Sequence, residues 1–302
     1  MDTLRQLPRL RSLAAAACTL IFLAATGHSQ SLESTLQQFG ADAVKGYIQP
    51  AGDLFGANMN AGMFHSAEIS KMGFHLSLDI IGMASMVGDA QKTYTANAPP
   101  GFNPSTFQTA TIFGGKAGVV TDANTGFTYH GTVDGMVDTK FVPLAAPQLT
   151  IGDVYGTRAI IRFIATPSVD NFPKATLWGI GVQHSISQYF PVIPLDVAGH
   201  VFFNKFTFGD LINFSGTSIG VEASKGFSVL RVYGGLAWEK STMEVKYVPE
   251  NAAFAPVDIT MNGANNFRAT LGIGLHIVFF SIFADANFGS VTNYSAGIGF
   301  GG

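Results

Sequence analysis

Six histidines follow the first thirty residues, and none is spaced for metal chemistry. His65, His75, His130, His184, His200 and His276 show no i, i+4 pair and no H-E-x-x-H. Ser185 adjoins His184, a nucleophile type beside a base type, but neighbours in a strand point to opposite faces and cannot exchange a proton. No G-x-S-x-G, P-loop or dinucleotide fingerprint occurs. The chain therefore reads as non-enzymatic, with no catalytic residue, metal site or cofactor, and the histidines read as hydrogen-bonding groups.

What remains is a set of charges at alternate positions of apolar stretches: Arg158, Arg162, Glu222, Arg231, Glu239, Arg268 and Asp285. If the apolar positions face lipid, these seven face a lumen. A lumen of mixed sign could hold an aqueous path or a salt-bridged plug. The blander alternative is that the charges pair with one another and fill a narrow interior.

The stretches that position them have period two. Tyr294, Ala296, Ile298 and Phe300 part from Ser295, Gly297 and Gly299; Ala269, Leu271, Ile273 and Leu275 part from Arg268, Thr270, Gly272 and Gly274. Ile282, Ala284 and Ala286 part from Asp285 and Asn287, and the same alternation runs through Phe74–Met86, 159–165, 178–186, 195–204, 219–223 and 230–238. Period two means strand. Such strands suit a soluble sandwich with its apolar side buried or a membrane barrel with that side in lipid. The last strand, ending on Phe300, resembles the carboxy-terminal assembly signal of Gram-negative outer-membrane proteins, with the departure that Gly301 and Gly302 follow the aromatic. Trp178, Tyr155, Tyr189, Trp238, Tyr247 and Tyr294 sit near segment ends, where an aromatic girdle belongs.

The first 29 residues have the layout of a secretory signal peptide: Arg5, Arg9 and Arg11, then apolar Leu13 to Ala25, then a small-residue exit near Ser29. The apolar run is shorter than the roughly 20 residues of a membrane anchor. A lipoprotein reading of Cys18 is disfavoured because most of the apolar run follows it. Cleavage would remove the only cysteine, which excludes disulfide and thiol chemistry. It would leave 14 basic and 19 acidic residues, a balance that does not suit nucleic acid. Charged residues are only 12% of the chain against about 25% in ordinary soluble domains. Low charge without a long apolar helix is the composition of a closed transmembrane barrel.

Gln30 to Gln49 carries apolar residues at spacings of three and four, with Ser31 to cap it and Pro50 to close it, which predicts a helix. It either covers one end of the sheet or plugs the barrel mouth. Gln91–Thr109 reads as a long loop, Thr111–Pro147 as a hairpin pair reaching beyond the membrane, and Ser224-Lys225-Gly226 as a turn. Three segments, YIQPAGDLFGANMNAGMFHSAE (Tyr47 to Glu68), GFHLSLDI (Gly73 to Ile80) and WGIGVQHSISQYFPVIPLDVAGH (Trp178 to His200), resemble a domain-of-unknown-function family of bacterial outer-membrane-like β proteins. The resemblance covers nearly the whole mature chain. It implies a signal peptide, a G-x-x-x-N-x-G-like segment near the N-terminus and a barrel, and it brings no catalytic residue or ligand.

The expectation is an all-β fold, an antiparallel transmembrane β-barrel of roughly 12 strands with a short N-terminal helix. Residues 1–29 would be the signal peptide, 30–70 the helix and a Gly/Asn-rich segment, a candidate plug, and 71–302 the barrel. Its place would be the bacterial outer membrane, and its partners outer-membrane lipid, the outer-membrane assembly machinery and a small-molecule ligand. Its role would be passage or binding of a small solute. By analogy with long-chain fatty acid channels that solute is hydrophobic, although their Asn-Pro-Ala motif is absent from Gln49 to Asn60. The alternatives are a structural or anchoring envelope protein and a soluble exported β-sandwich.

Overall fold

The computed structural model describes residues 41–302 other than 132, 168–172, 191 and 248–256. The expected signal peptide and residues 30–40 of the expected helix lie outside the described residues. Helix α1 (Ala41–Met59) leads through an extended stretch to β1 (Met72–Met86). Two small ribbons follow: β2 (Thr93–Asn97) with β3 (Thr106–Ala110), and β4 (Val119–Thr121) with β5 (Thr128–His130). Then come β6 (Phe141–Val154), β7 (Thr157–Ala165), β8 (Ala175–Ser185), β9 (Asp196–Phe208), β10 (Ile212–Phe227) and β11 (Leu230–Tyr247). The chain ends with β12 (Val257–Asn262), β13 (Phe267–Ile277), β14 (Phe280–Phe288) and β15 (Asn293–Gly301).

Ten of these strands close into one antiparallel barrel. β1 pairs with β6 and with β15, and the ring runs β6 to β11 and then β13 to β15. The single closed sheet replaces the alternative of two stacked sheets. The expected count of 12 is corrected to ten barrel strands plus β12, which pairs with Thr242–Tyr247 of β11 outside the ring. The error arose mainly between 91 and 147. The expected loop and hairpin pair are instead two short ribbons, and one long strand starts at Phe141. Pro143 and Pro147 hid that strand. They fall where β6 has β1 as a partner but not yet β7, whose pairing begins at Gln148, so no second ladder is interrupted.

Two further expectations are corrected. Pro50 lies inside α1 and does not end it. A mid-helix proline costs a backbone hydrogen bond, but burial of Tyr47, Ile48, Leu54 and Phe55 on either side outweighs that local preference. Gly56 lets the helix approach β11, because a Cβ there would stand 2.2 Å from Ser241 Oγ. Ser224–Gly226 continues β10, and the turn comes at Ser228-Val229.

One end of the barrel has tight connections, 155–156, 228–229 and 278–279, and holds the end of β15. At the first of these Tyr155 and Gly156 both take positive φ, as a two-residue hairpin of matching twist requires. The other end carries the ribbons of 87–140, β12 and the start of α1, where the Tyr94 hydroxyl donates to the Ala43 carbonyl. On one of these loops the Asp122 carboxyl is held below its usual range by donation from the Thr125 hydroxyl and the Asn103 amide. Among the described residues no helix is long and apolar enough to cross a membrane.

The wall is apolar outside and polar inside over its tight-turn half. Leu78 and Ile80 of β1 are exposed while Ser77 and Asp79 are buried; Ile180 and Val182 of β8 are exposed while Gln183 is buried. In β9–β11 the pattern inverts toward the other end. On β11, Leu236 and Trp238 are exposed (52% and 51%), yet beyond Glu239 the outward residues are Lys240 and Lys246, and Met243 and Val245 are buried inward. On β9 the inward series passes from His200 to Phe206 and Phe208. Phe206, Phe214, Met243 and Met261 form the apolar cup in which α1 sits.

Candidate functional site

Residues 41–70 form one inner segment enclosed by the barrel. In the cup, Phe55 packs on Phe206 and Phe214 with ring centroids 4.8 and 4.6 Å away. Past Met59 the segment is extended, and side chains from the wall hold it mostly by its main chain. Alternation along each strand makes this arrangement, since every second side chain must point inward.

Arg162 of β7 is the densest contact. Its Nη2 donates to the carbonyls of Ala61 and Gly62 at 2.8 Å each, and its Nη1 to that of Met59 at 3.2 Å. Its Nε donates to Gln148 Oε1 at 3.0 Å, and its guanidinium lies 5.3 Å from the Phe202 ring centre. The carbonyls at the C-terminus of α1 carry partial negative charge, so a buried cation is at home there. Gln148 Nε2 donates to the Met63 carbonyl, Gln183 Nε2 to that of Ser66, and Ser224 Oγ accepts from the Ala67 amide. Asn58 donates to the Val142 carbonyl at 2.7 Å and accepts from Asn293.

All seven charges singled out by parity face the interior, and their partners differ. Glu239 receives Arg268 through two bonds, 2.9 and 3.1 Å, and Arg268 also donates to the Ala57 carbonyl at 2.7 Å. Arg158 pairs with Asp153, which in turn accepts from the Ser70 amide. Arg231 pairs with Glu68 of the inner segment. Asp285 accepts from the Tyr233 hydroxyl and from Asn287. Arg162 is the exception among the described arginines, having no carboxylate bonded to it.

Glu222 belongs to a series that sequence reading missed. His200 Nδ1 lies 2.5 Å from Glu222 Oε2, and His200 Nε2 lies 3.2 Å from Ser218 Oγ. Serine, histidine and acid in that order can in principle activate a hydroxyl. Here Ser218 is fully buried, and the cavity beside His200, lined by Asn60, Phe64 and Arg268, holds about 10 Å³, the room of one water. In this conformation the series is a hydrogen-bonded brace, tied through Gln183 to Ser66. Register would have suggested it: His200 stands opposite Gly220, between Ser218 and Glu222 on the same face. The adjacent pair His184 and Ser185 is split, His184 bonding Thr157 and Ser185 approaching Ser187. No group of three or more His, Cys, Asp or Glu side chains is placed to hold a metal among the described residues.

Asp79 was also missed as a site. It is fully buried, faces inward from β1, and neither carboxylate oxygen has a hydrogen-bond partner among the described residues.

A family model covers residues 9–302. The chain belongs to the family of unknown function DUF6588. No curated protein matches it. Solved structures with a similar fold are outer-membrane β-barrels. A loop-deletion mutant of OmpT from Vibrio cholerae is 10% identical over 76% of this chain and 98% of its own, with a TM-score of 0.27. The transport unit of the autotransporter AIDA-I from Escherichia coli is 14% identical over 83% and 98%, with a TM-score of 0.33. A FadL homologue of Pseudomonas aeruginosa is 10% identical over 86% and 96%, with a TM-score of 0.21. At these scores the likeness carries no argument about this chain. This DUF6588 chain has a closed antiparallel β-barrel, one of the folds compatible with its strand pattern.

Proposed function

We propose that this DUF6588 protein is an outer-membrane barrel through which a small solute passes, with the inner segment 41–70 as its plug. The observation that carries the reading is that wall side chains hold this segment through its main-chain groups, Arg162 alone engaging three carbonyls. Such contacts can be broken without dismantling the wall, whose own strands are fully paired around the ring. The outward apolar band of the tight-turn half matches hydrocarbon, and the inversion at Trp238–Lys240 marks where headgroups and water begin. Short connections and the end of β15 then lie at the periplasmic side and the ribbons of 87–140 outside. The outward aromatics of β15, Tyr294 and Phe300, are offered to the assembly machinery, and lipid surrounds the band. The polar wall favours a solute with hydrogen-bonding groups over bare hydrocarbon. Enzymatic chemistry has no place in this reading.

The test combines two measurements. Protein extracted from the outer-membrane fraction should migrate differently on gels before and after boiling, because a closed barrel resists detergent until heated. Extraction without detergent would remove the membrane reading. In planar bilayers, Arg162→Met should produce conductance steps more often than the unaltered protein. A membrane that stays sealed with both proteins favours the second reading, an envelope anchor, for which the deep apolar seat of α1 in its cup speaks.

A further inference from the structure

The interior holds a cation without a carboxylate and a carboxylate without a partner, and the two stand in one row of the sheet. Asp79 of β1 is directly opposite Gln148 of β6, and Gln148 is directly opposite Arg162 of β7. All three point inward and all three are buried. Strands in a sheet lie about 4.8 Å apart, so the backbones of Asp79 and Arg162 are separated by about 10 Å, within the combined reach of the two side chains. Gln148 already links the row, accepting from Arg162 Nε at 3.0 Å.

A carboxylate buried without a partner is costly, and so is a buried guanidinium once its partners are removed. In the observed state the cost falls on Asp79, because Arg162 is turned to the carbonyls of Met59, Ala61 and Gly62. If the inner segment leaves, those carbonyls leave with it, and the cost would fall on both residues unless they meet. The other acids bonded in the wall have wall partners: Glu239 has Arg268, Asp153 has Arg158, Glu222 has His200 and Gln183, and Asp285 has Tyr233 and Asn287. Among the described acids of the wall, Asp79 alone is open to receive the guanidinium.

We infer that Asp79 and Arg162 form a two-position latch: Arg162 binds the plug carbonyls when the lumen is closed and swings across Gln148 to Asp79 when the plug withdraws. The inference rests on the passage reading and assigns the regulation of that same site. In the open state the ion pair offsets the carbonyl hydrogen bonds that depart with the plug. The two states therefore differ less in energy than removal of those bonds alone would make them.

The test uses the full chain in phospholipid vesicles, with Met63→Cys in a Cys18→Ser background as reporter. Met63 is buried in the inner segment, so its rate of labelling by a membrane-impermeant thiol reagent reads withdrawal. Arg162→Met should raise the rate at least about tenfold, from loss of hydrogen bonds to a charged group. Asp79→Asn should lower it about tenfold when Arg162 is present, since the open state loses its pair, and leave it unchanged in the Arg162→Met background. Equal slowing by Asp79→Asn in both backgrounds, or no slowing in either, overturns the latch and leaves the passage reading standing. A reporter labelled only after heating in detergent, even with Arg162→Met, overturns both. Should Arg162→Met fail to give the heat-dependent gel shift, Arg162→Gln, which keeps a donor and loses the charge, takes its place in the same comparison.

Discussion

The two ends of β9–β11 are built on opposite rules. Toward the tight turns, Val221, Val232 and Leu236 face outward and Glu222, Tyr233 and His200 face inward. Toward the other end, Lys205, Lys240 and Lys246 face outward and Phe206, Met243 and Val245 inward. The backbone is the same continuous ladder in both. What changes is the solvent each outer face suits: an apolar one around the first half, water around the second. The inner segment follows the same division. α1 is seated by apolar packing in the cup with hydrogen bonds at its last turn, at Ala57, Asn58 and Met59, while residues 60–70 combine hydrogen bonds and the Arg231–Glu68 ion pair with smaller apolar contacts of Met63, Phe64 and Ile69.

The largest expected effects come from the buried ion pair at the boundary between the halves and from the apolar cup. Arg268→Met should destabilise the barrel by about 3–5 kcal/mol in urea unfolding from vesicles, because Glu239 is left buried and charged, and Glu239→Leu added to it should recover most of the loss. Phe55→Ala should cost a similar 3–5 kcal/mol by opening a cavity in the cup, with no second-site polar change able to restore it. A failure of Glu239→Leu to rescue would show that the polar half is not organised around that pair.

The next effect tests the outer faces against each other. Leu236→Arg should cost about 2–4 kcal/mol, as expected for a charge in the lipid band, whereas Glu244→Arg, beyond the aromatic boundary on the same strand, should stay within about 0.5 kcal/mol. Equal costs would dissolve the contrast between the halves. The smallest effect needs no mutation. Trp178 and Trp238 are the only tryptophans, and both stand at the boundary, so lipids quenching near the headgroups should dim them more than lipids quenching at the bilayer centre. Stronger quenching from the centre would move the boundary along the strands.

Parity made the inward charges legible. Arg158, Arg162, Glu222, Arg231, Glu239, Arg268 and Asp285 could be placed on one face because alternation is local to each strand. The same reasoning stopped at Trp238 on β11, since it sought a lipid face and Lys240–Lys246 no longer showed one. It missed β6 behind two prolines and ended α1 at Pro50, because both are strong local signals that tertiary pairing and packing overrode. Asp79 had the right parity but no visible partner, and a residue whose importance lies in being unpaired carries no pattern of its own.

Most of the strands, the side of each that faces inward and the lipid-compatible outer band follow from residue order alone, because they depend on neighbours two residues apart. Residue order does not say that ten strands close, that β12 stays outside, that Asn58 meets Asn293, or that Asp79, Gln148 and Arg162 share a row. Those facts depend on closure of the ring in three dimensions, which brings together residues far apart in the chain and sets which buried charge finds a partner.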